Sequence, residues 1–252
     1  MSNPGRIWLD ESSAADAIAE KVRLGAMTEE EAIHLRKFAA DGYFITRVDL
    51  SAAEADEIDR DVDRLWREKP TNVAFAYDSP PLRFSLSDER AQRRPRYRIH
   101  ELHAASRAAL RLVLDPILHR YASLILGETA VATQSLYFEF GSQQPLHRDS
   151  TVVPTPEFAA LVAAWIALED ITPESGPLAY VPGSQKFEFH PFRPGEYCYD
   201  PSRHTGQDVE AAVNFYDEQL RRSALPTHHF LAKRGGAYAF MNPLDGKFLY
   251  RR

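Results

Sequence analysis

The stretch Gln143-Gln144-Pro145-Leu146-His147-Arg148-Asp149-Ser150 carries the sharpest chemical signal in the chain. Along an extended strand, side chains two residues apart leave from the same face. His147 and Asp149 can therefore converge on one point while Arg148 faces the other way. An imidazole and a carboxylate aimed together supply two of the three protein ligands of a 2-His-1-carboxylate site, which leaves positions open on non-haem iron(II). The spacing alone is weak, because a surface ion pair beside a turn has the same sequence.

Working outward, Ala130 to Phe140 alternates and is rich in β-branched and aromatic residues, which predicts a strand leading into the pair. Downstream, Leu161 to Leu168 is a continuous apolar run. The turn Thr172-Pro173-Glu174-Ser175-Gly176-Pro177 follows it, then a short strand over Leu178 to Val181. Asp208 to Arg222 reads as helix and Gly236 to Met241 as strand. The N-terminal half is helical in texture. Thr28 with Glu31 forms a capping box for a helix to Asp41, Gly42 supplies its stop, and Tyr43 to Val48 reads as a strand. Ser51 with Glu54 caps a second helix bearing Ile58, Val62, Leu65 and Trp66 on one face. Leu110 to Leu126 reads as helix interrupted near Pro116, with Gly127 as its end. Helices first and short strands later predict a mainly β structure, antiparallel sheets with flanking helices, and not alternating βαβ units. No repeat or Gly/Ser linker divides the chain, so residues 1–252 read as one domain.

Composition narrows the function. The 252 residues are 44% hydrophobic and 26% charged, ordinary for a globular chain. Thirty Lys and Arg against 36 Asp and Glu give a net charge of −6, which argues against nucleic acid as a partner. One cysteine, Cys198, excludes an internal disulfide and a multi-cysteine metal site. The longest nearly apolar run, Phe158 to Leu168, is about half a membrane span, so no membrane partner and a cytoplasmic location are expected. Dinucleotide, P-loop, His-Glu-x-x-His and Gly-x-Ser-x-Gly motifs are all missing from the sequence.

Four ordered pieces point to a family. They are Ser135-Leu-Tyr-Phe-Glu-Phe-Gly-Ser142, Gln144-x-x-His147-x-Asp149, Trp165-Ile-Ala-Leu-Glu-Asp-Ile-Thr-Pro-Glu-Ser-Gly-Pro-Leu178 and Val181-Pro-Gly-Ser184. Together they resemble the phytanoyl-CoA dioxygenase family of iron(II)- and 2-oxoglutarate-dependent oxygenases, over roughly Met27 to Gly236. The resemblance implies a double-stranded β-helix, a jelly roll with helices outside, and His147 and Asp149 as iron ligands at the end of an inner strand. It also implies a dioxygenase that converts 2-oxoglutarate to succinate and carbon dioxide while hydroxylating a small organic substrate. The presence of Asp149 favours hydroxylation over halogenation, for which the carboxylate ligand is replaced by a small residue. Gln134 and Ser150 match positions where the family places an amide or hydroxyl on 2-oxoglutarate.

The resemblance weakens late in the chain. The family's distal His ligand and 2-oxoglutarate-binding Arg have no clear counterpart: Gly236 stands where Asp is usual, counting forward reaches Asp245 or Gly246, and no His follows His229. Three readings stay open: a jelly roll missing its last strands, a metal site completed by His228, His229 or Asp245, and an inactive relative that binds ligand without oxidising it. Other features bear on substrate. Arg90, Arg93, Arg94, Arg96 and Arg98 could meet an anionic substrate or form a solvated loop. Trp165 suits a pocket wall or a core position, and His190 to His204 resembles the family's variable lid.

Overall fold

The computed structural model describes residues 7–47, 50–77, 83–140, 144, 146–234, 238–241 and 245–248, the last two stretches by their backbone alone. Helix α1 (Ala14–Arg23) and helix α2 (Glu29–Asp41) open the chain. The Thr28 hydroxyl accepts from the Glu31 amide while the Glu31 carboxylate accepts from the Thr28 amide, the reciprocal cap expected from sequence. Gly42 ends α2 at φ +81°, and strand β1 (Tyr43–Thr46) follows. A side chain at Gly42 would be strained and would also meet the Gln185 amide oxygen at 2.6 Å, so this glycine serves both the turn and a close approach.

Helix α3 (Ala52–Glu68) begins at the Ser51–Glu54 box and buries Ala55, Ile58, Val62 and Leu65. Strands β2 (Ala74–Ala76), β3 (Phe84–Ser85) and β4 (Arg98–His100) follow. The apolar stretch expected to be one interrupted helix is two, α4 (Arg107–Val113) and α5 (Pro116–Leu126). Asp115 makes the break a fresh start: its carboxylate accepts from the amides of Ile117 and Leu118, with Pro116 as the first helical residue.

The strand expected over Ala130 to Phe140 is confined to β5 (Leu136–Phe138). Its neighbour β4 has three residues and is closed by Glu101 at φ +55°, so the ladder ends at the bond from the Glu101 amide to the Ser135 carbonyl. Helix α6 (Asp149–Val152), strands β6 (Ala163–Ile166) and β7 (Leu178–Tyr180), helix α7 (Gly206–Ser223) and strands β8 (His228–His229), β9 (Tyr238–Met241) and β10 (Asp245–Phe248) complete the order.

Among the described residues three sheets form, ordered β3-β2-β4-β5, β1-β9-β6 and β10-β7-β8, and every strand pairing there is antiparallel. That bears out the antiparallel expectation and corrects the mainly β one. Strands are two to four residues long whereas α3 and α7 have 17 and 18, so helical residues outnumber strand residues among those described. Two large apolar clusters hold the layers together. One joins α2 to β1 and α5 around Leu35, Phe38, Phe44 and Ile125; the other packs α3 onto β2 and β4 through Ile58, Val62, Phe75 and Ile99. Among the described residues, no helix is long and apolar enough to cross a membrane.

Candidate metal centre

His147 lies two residues before the start of α6, and Asp149 is that helix's first residue. The inner strand expected to carry both is therefore absent at Asp149. They converge all the same, because Arg148 between them is extended (φ −113°, ψ 123°) and restores the two-residue alternation locally. His147 Nε2 stands 3.3 Å from Asp149 Oδ1, and both side chains are partly open to solvent. Two ligands at right angles on an ion with bonds of about 2.1 Å sit about 3 Å apart, so the pair has the spacing of adjacent ligands on one cation.

Arg148 points away from the pair, as expected, and is buried at 2% exposure. Its guanidinium donates to the carbonyls of Phe187 (3.2 Å), Ser184 (3.2 Å) and Gln185 (2.5 Å) and lies 4.0 Å from the centre of the Phe189 ring. The turn it grips is itself fastened to α2. Gln185 Nε2 donates to the carbonyls of Ala39 and Ala40, Lys186 Nζ donates to Ala40, and the Gly183 amide donates to Asp41. A groove of about 660 Å³ runs between this turn and α1 and α2, lined by Arg36, Arg148, Lys186 and Phe189; neither His147 nor Asp149 lines it.

Ser150 is buried, and its hydroxyl oxygen has no hydrogen-bond partner. An unsatisfied hydroxyl next to the carboxylate fits a site built to receive a polar ligand. Gln134 is half-buried in the irregular segment before β5. The next residue of α6, Thr151, joins the expected lid: its hydroxyl is 2.8 Å from that of Tyr216 on α7, and its carbonyl accepts from the Tyr199 amide at 2.7 Å. The lid has a small core of its own, with His204 stacked on Phe192 at 4.9 Å and Phe158 against Phe189 and Tyr197.

The other candidates are dispersed. His228 and His229 are exposed on β8, paired in register with Tyr180 and Ala179. Among the described residues no group of three metal-binding side chains forms, so neither histidine completes the pair. Asp245 pairs in register with Tyr180; its side chain lies outside what is described. Trp165 packs at 5.6 Å from Phe230 in the cluster with Leu178 and Tyr180.

The arginine run is not one anion-facing patch. Arg90 is bound by Asp88 and covers Phe84, Arg93 bridges Asp63 and Glu139, and Arg94 lies over Tyr77. Arg98 is buried on β4 with His100, a residue marked in the sequence only by the polar-apolar-polar order Arg98-Ile99-His100.

Burial, then the positive charges of Arg83 and Arg98, push the His100 imidazole down to about 4. It is neutral in the folded chain while the unfolded chain takes up a proton near 6.5, so the unfolded state binds more protons between those values. Stability is therefore expected to fall as pH drops from about 6.5 to about 4, by about 3 kcal/mol from His100 alone. His34 and His190, lowered chiefly by burial, act in the same direction. Melting temperatures measured across this range check it, with a flatter profile expected for His100→Phe.

Comparison with known proteins places the chain. The sequence profile described as Phytanoyl-CoA dioxygenase (PhyH) matches residues 38–241. A cattle (Bos taurus) protein, phytanoyl-CoA dioxygenase domain-containing protein 1, is 25% identical over 194 residues, 60% of this chain and 64% of that one. The chain thus spans less than two-thirds of the length of that relative. The fold is shared with the alpha-ketoglutarate-dependent carbocyclase SnoK of nogalamycin biosynthesis, at TM-score 0.59 and 16% identity over 88% of this chain and 77% of that one. It is shared too with the epimerase SnoN in complex with Fe3+, alpha-ketoglutarate and nogalamycin RO, at TM-score 0.55 and 16% identity over 87% and 76%. With a profile matching most of its length, the chain belongs to the phytanoyl-CoA dioxygenase family.

Proposed function

We propose that this chain is an iron(II)- and 2-oxoglutarate-dependent dioxygenase, a single jelly-roll domain that hydroxylates a small, anionic organic molecule and releases succinate and carbon dioxide. The observation that carries the reading is the 3.3 Å approach of His147 Nε2 to Asp149 Oδ1 in a chain of this family. In this reading both residues hold iron(II), and the third ligand is unassigned. Iron(II) held there would, with dioxygen and 2-oxoglutarate, supply an oxidant able to act on an unactivated C–H bond.

The chain's own residues have separable tasks. His147 would present a ring nitrogen and Asp149 a carboxylate oxygen to the cation. Ser150 donates its hydroxyl proton to a carboxylate oxygen of 2-oxoglutarate, which satisfies the buried group, and the Gln134 amide supports the co-substrate from the segment before β5. Arg148 is a positioning residue, and the 190–204 segment excludes water from above α6. A single cysteine and an acidic balance fit a cytoplasmic enzyme.

The test is succinate formation from 2-oxoglutarate by the whole chain with iron(II), ascorbate and oxygen, alone and with a panel of small carboxylic acids. Slow turnover alone and faster turnover with one class of acid are expected. Iron(II) binding without succinate under every condition sinks the catalytic reading. It leaves a second one, a ligand-binding jelly roll, which is favoured by the lack of a third metal-binding side chain among the described residues.

A further inference from the structure

Helix α6 is a single turn of four residues. It is closed by bonds from the Thr151 amide to the Arg148 carbonyl (2.8 Å) and from the Val153 amide to the Asp149 carbonyl (2.7 Å). One turn fixes many dihedrals for each bond it gains and does not hold itself together in water. What places Asp149 is therefore what grips this turn from outside. Arg148 fastens its start to the 184–187 carbonyls. Thr151, buried at 3% exposure, fastens its third residue to α7 and to the 190–204 segment.

Tyr216 on α7 is as deeply buried, at 2% exposure. Its oxygen accepts from the His190 amide at 3.3 Å and lies 2.8 Å from the Thr151 hydroxyl. A phenol has one proton to give, so with His190 as its donor that proton is left for the Thr151 oxygen. One hydroxyl thus joins α6, α7 and the first residue of the 190–204 segment. Gln219, on the same face of α7, keeps the register by bonding both the amide (2.8 Å) and the carbonyl (3.0 Å) of Glu188. The segment is braced within itself. The Phe192 amide donates to Glu196, the Glu196 amide donates to Arg193, and His204 accepts from the Asp200 amide while stacking on Phe192. A shift of its first residue therefore reaches Tyr199, whose amide is the second bond to Thr151.

We propose that Tyr216 is a positioning residue that couples the 190–204 segment to the His147–Asp149 pair. Filling the pair with metal steadies the segment, and closing the segment over a substrate tightens the hold on the metal by the same factor. That the metal serves an oxidation rests on the oxygenase reading; the coupling itself needs no turnover.

The experiment titrates iron(II) into the whole chain by calorimetry without oxygen, and follows hydrogen exchange over residues 190–204 by mass spectrometry with and without the metal. In wild type, saturating iron(II) is expected to slow that exchange at least about tenfold. Tyr216→Phe keeps the ring and removes only the hydroxyl. It is expected to cut the protection to less than about twofold and to weaken iron(II) binding about fivefold to tenfold. Thr151→Val should match it, the double variant should be no worse than either single one, and Thr151→Ser should recover the protection. The two Thr151 variants carry the comparison if Tyr216→Phe does not fold. A residue that merely stabilises the fold would lower the melting temperature and leave the iron-dependent protection intact. Protection in Tyr216→Phe and Thr151→Val equal to wild type, additive losses in the double variant, or exchange indifferent to bound iron(II) in wild type overturns the proposal and leaves the oxygenase reading standing. Absence of any iron(II) binding that His147→Ala abolishes overturns both. Protection that requires the Tyr216 hydroxyl, in a chain that forms no succinate, overturns the oxygenase reading alone.

Discussion

A His147→Ala chain is expected to bind iron(II) at least about 100-fold more weakly than wild type and to form no measurable succinate. Loss of a group that merely orients a metal ligand costs about 10- to 100-fold in affinity, and removal of the ligand itself exceeds that. Only Asp149 would remain of the converging pair, and one carboxylate does not fix a cation against water. His147 is partly exposed, so the variant should keep its far-ultraviolet circular dichroism and melt within a few degrees of wild type. Iron affinity and the iron-dependent quenching of intrinsic fluorescence are the measurements. A folded His147→Ala chain that binds iron(II) as tightly as wild type would show that the metal sits elsewhere.

Arg148→Met should act through stability first and through the metal second. The substitution keeps an unbranched apolar stem but leaves three carbonyls on the 184–187 turn without their charged donor. Hydrogen bonds to a charged group contribute about 1.5–3 kcal/mol each, and part of that returns when the buried charge no longer has to be desolvated. A net loss of about 3 kcal/mol is expected, which for a domain of this size lowers the melting temperature by about 10 °C. Because Arg148 is flanked by the pair, the same change frees the His147–Asp149 spacing, and weaker iron(II) binding at temperatures well below the transition is expected too. Arg148→Lys, which restores charge but not the fork, should recover less than half of either loss. An Arg148→Met chain as stable as wild type would mean that the three carbonyls find other donors.

Much of the helical layer was legible because its signals are local. Thr28 with Glu31, Ser51 with Glu54, Gly42 and Gly127 each act within four residues, and the structure uses all four as expected. Strand lengths were less legible, since Ala130 to Ser135 has strand-like composition but β4, the neighbour it would pair with, stops at the left-handed turn at Glu101. The convergence of His147 and Asp149 was foreseen for a partly correct reason: the alternation holds across Arg148, but a helix, not a strand, begins at Asp149. The task of Arg148 was beyond sequence reading, because it depends on carbonyls 36 to 39 residues away and leaves no periodic trace.

The fastening of the 183–186 turn to the end of α2 bears on how this protein can be cut down. The family match starts at residue 38, inside the last turn of that helix. A fragment excised at that boundary would keep the carbonyls of Ala39, Ala40 and Asp41 but lose the helix that holds them in line. Gln185 and Lys186 would then brace against a frayed end, and the slack would reach Arg148 through the Gln185 carbonyl. The smallest working unit therefore begins no later than the Thr28 cap, some ten residues upstream of where homology becomes visible.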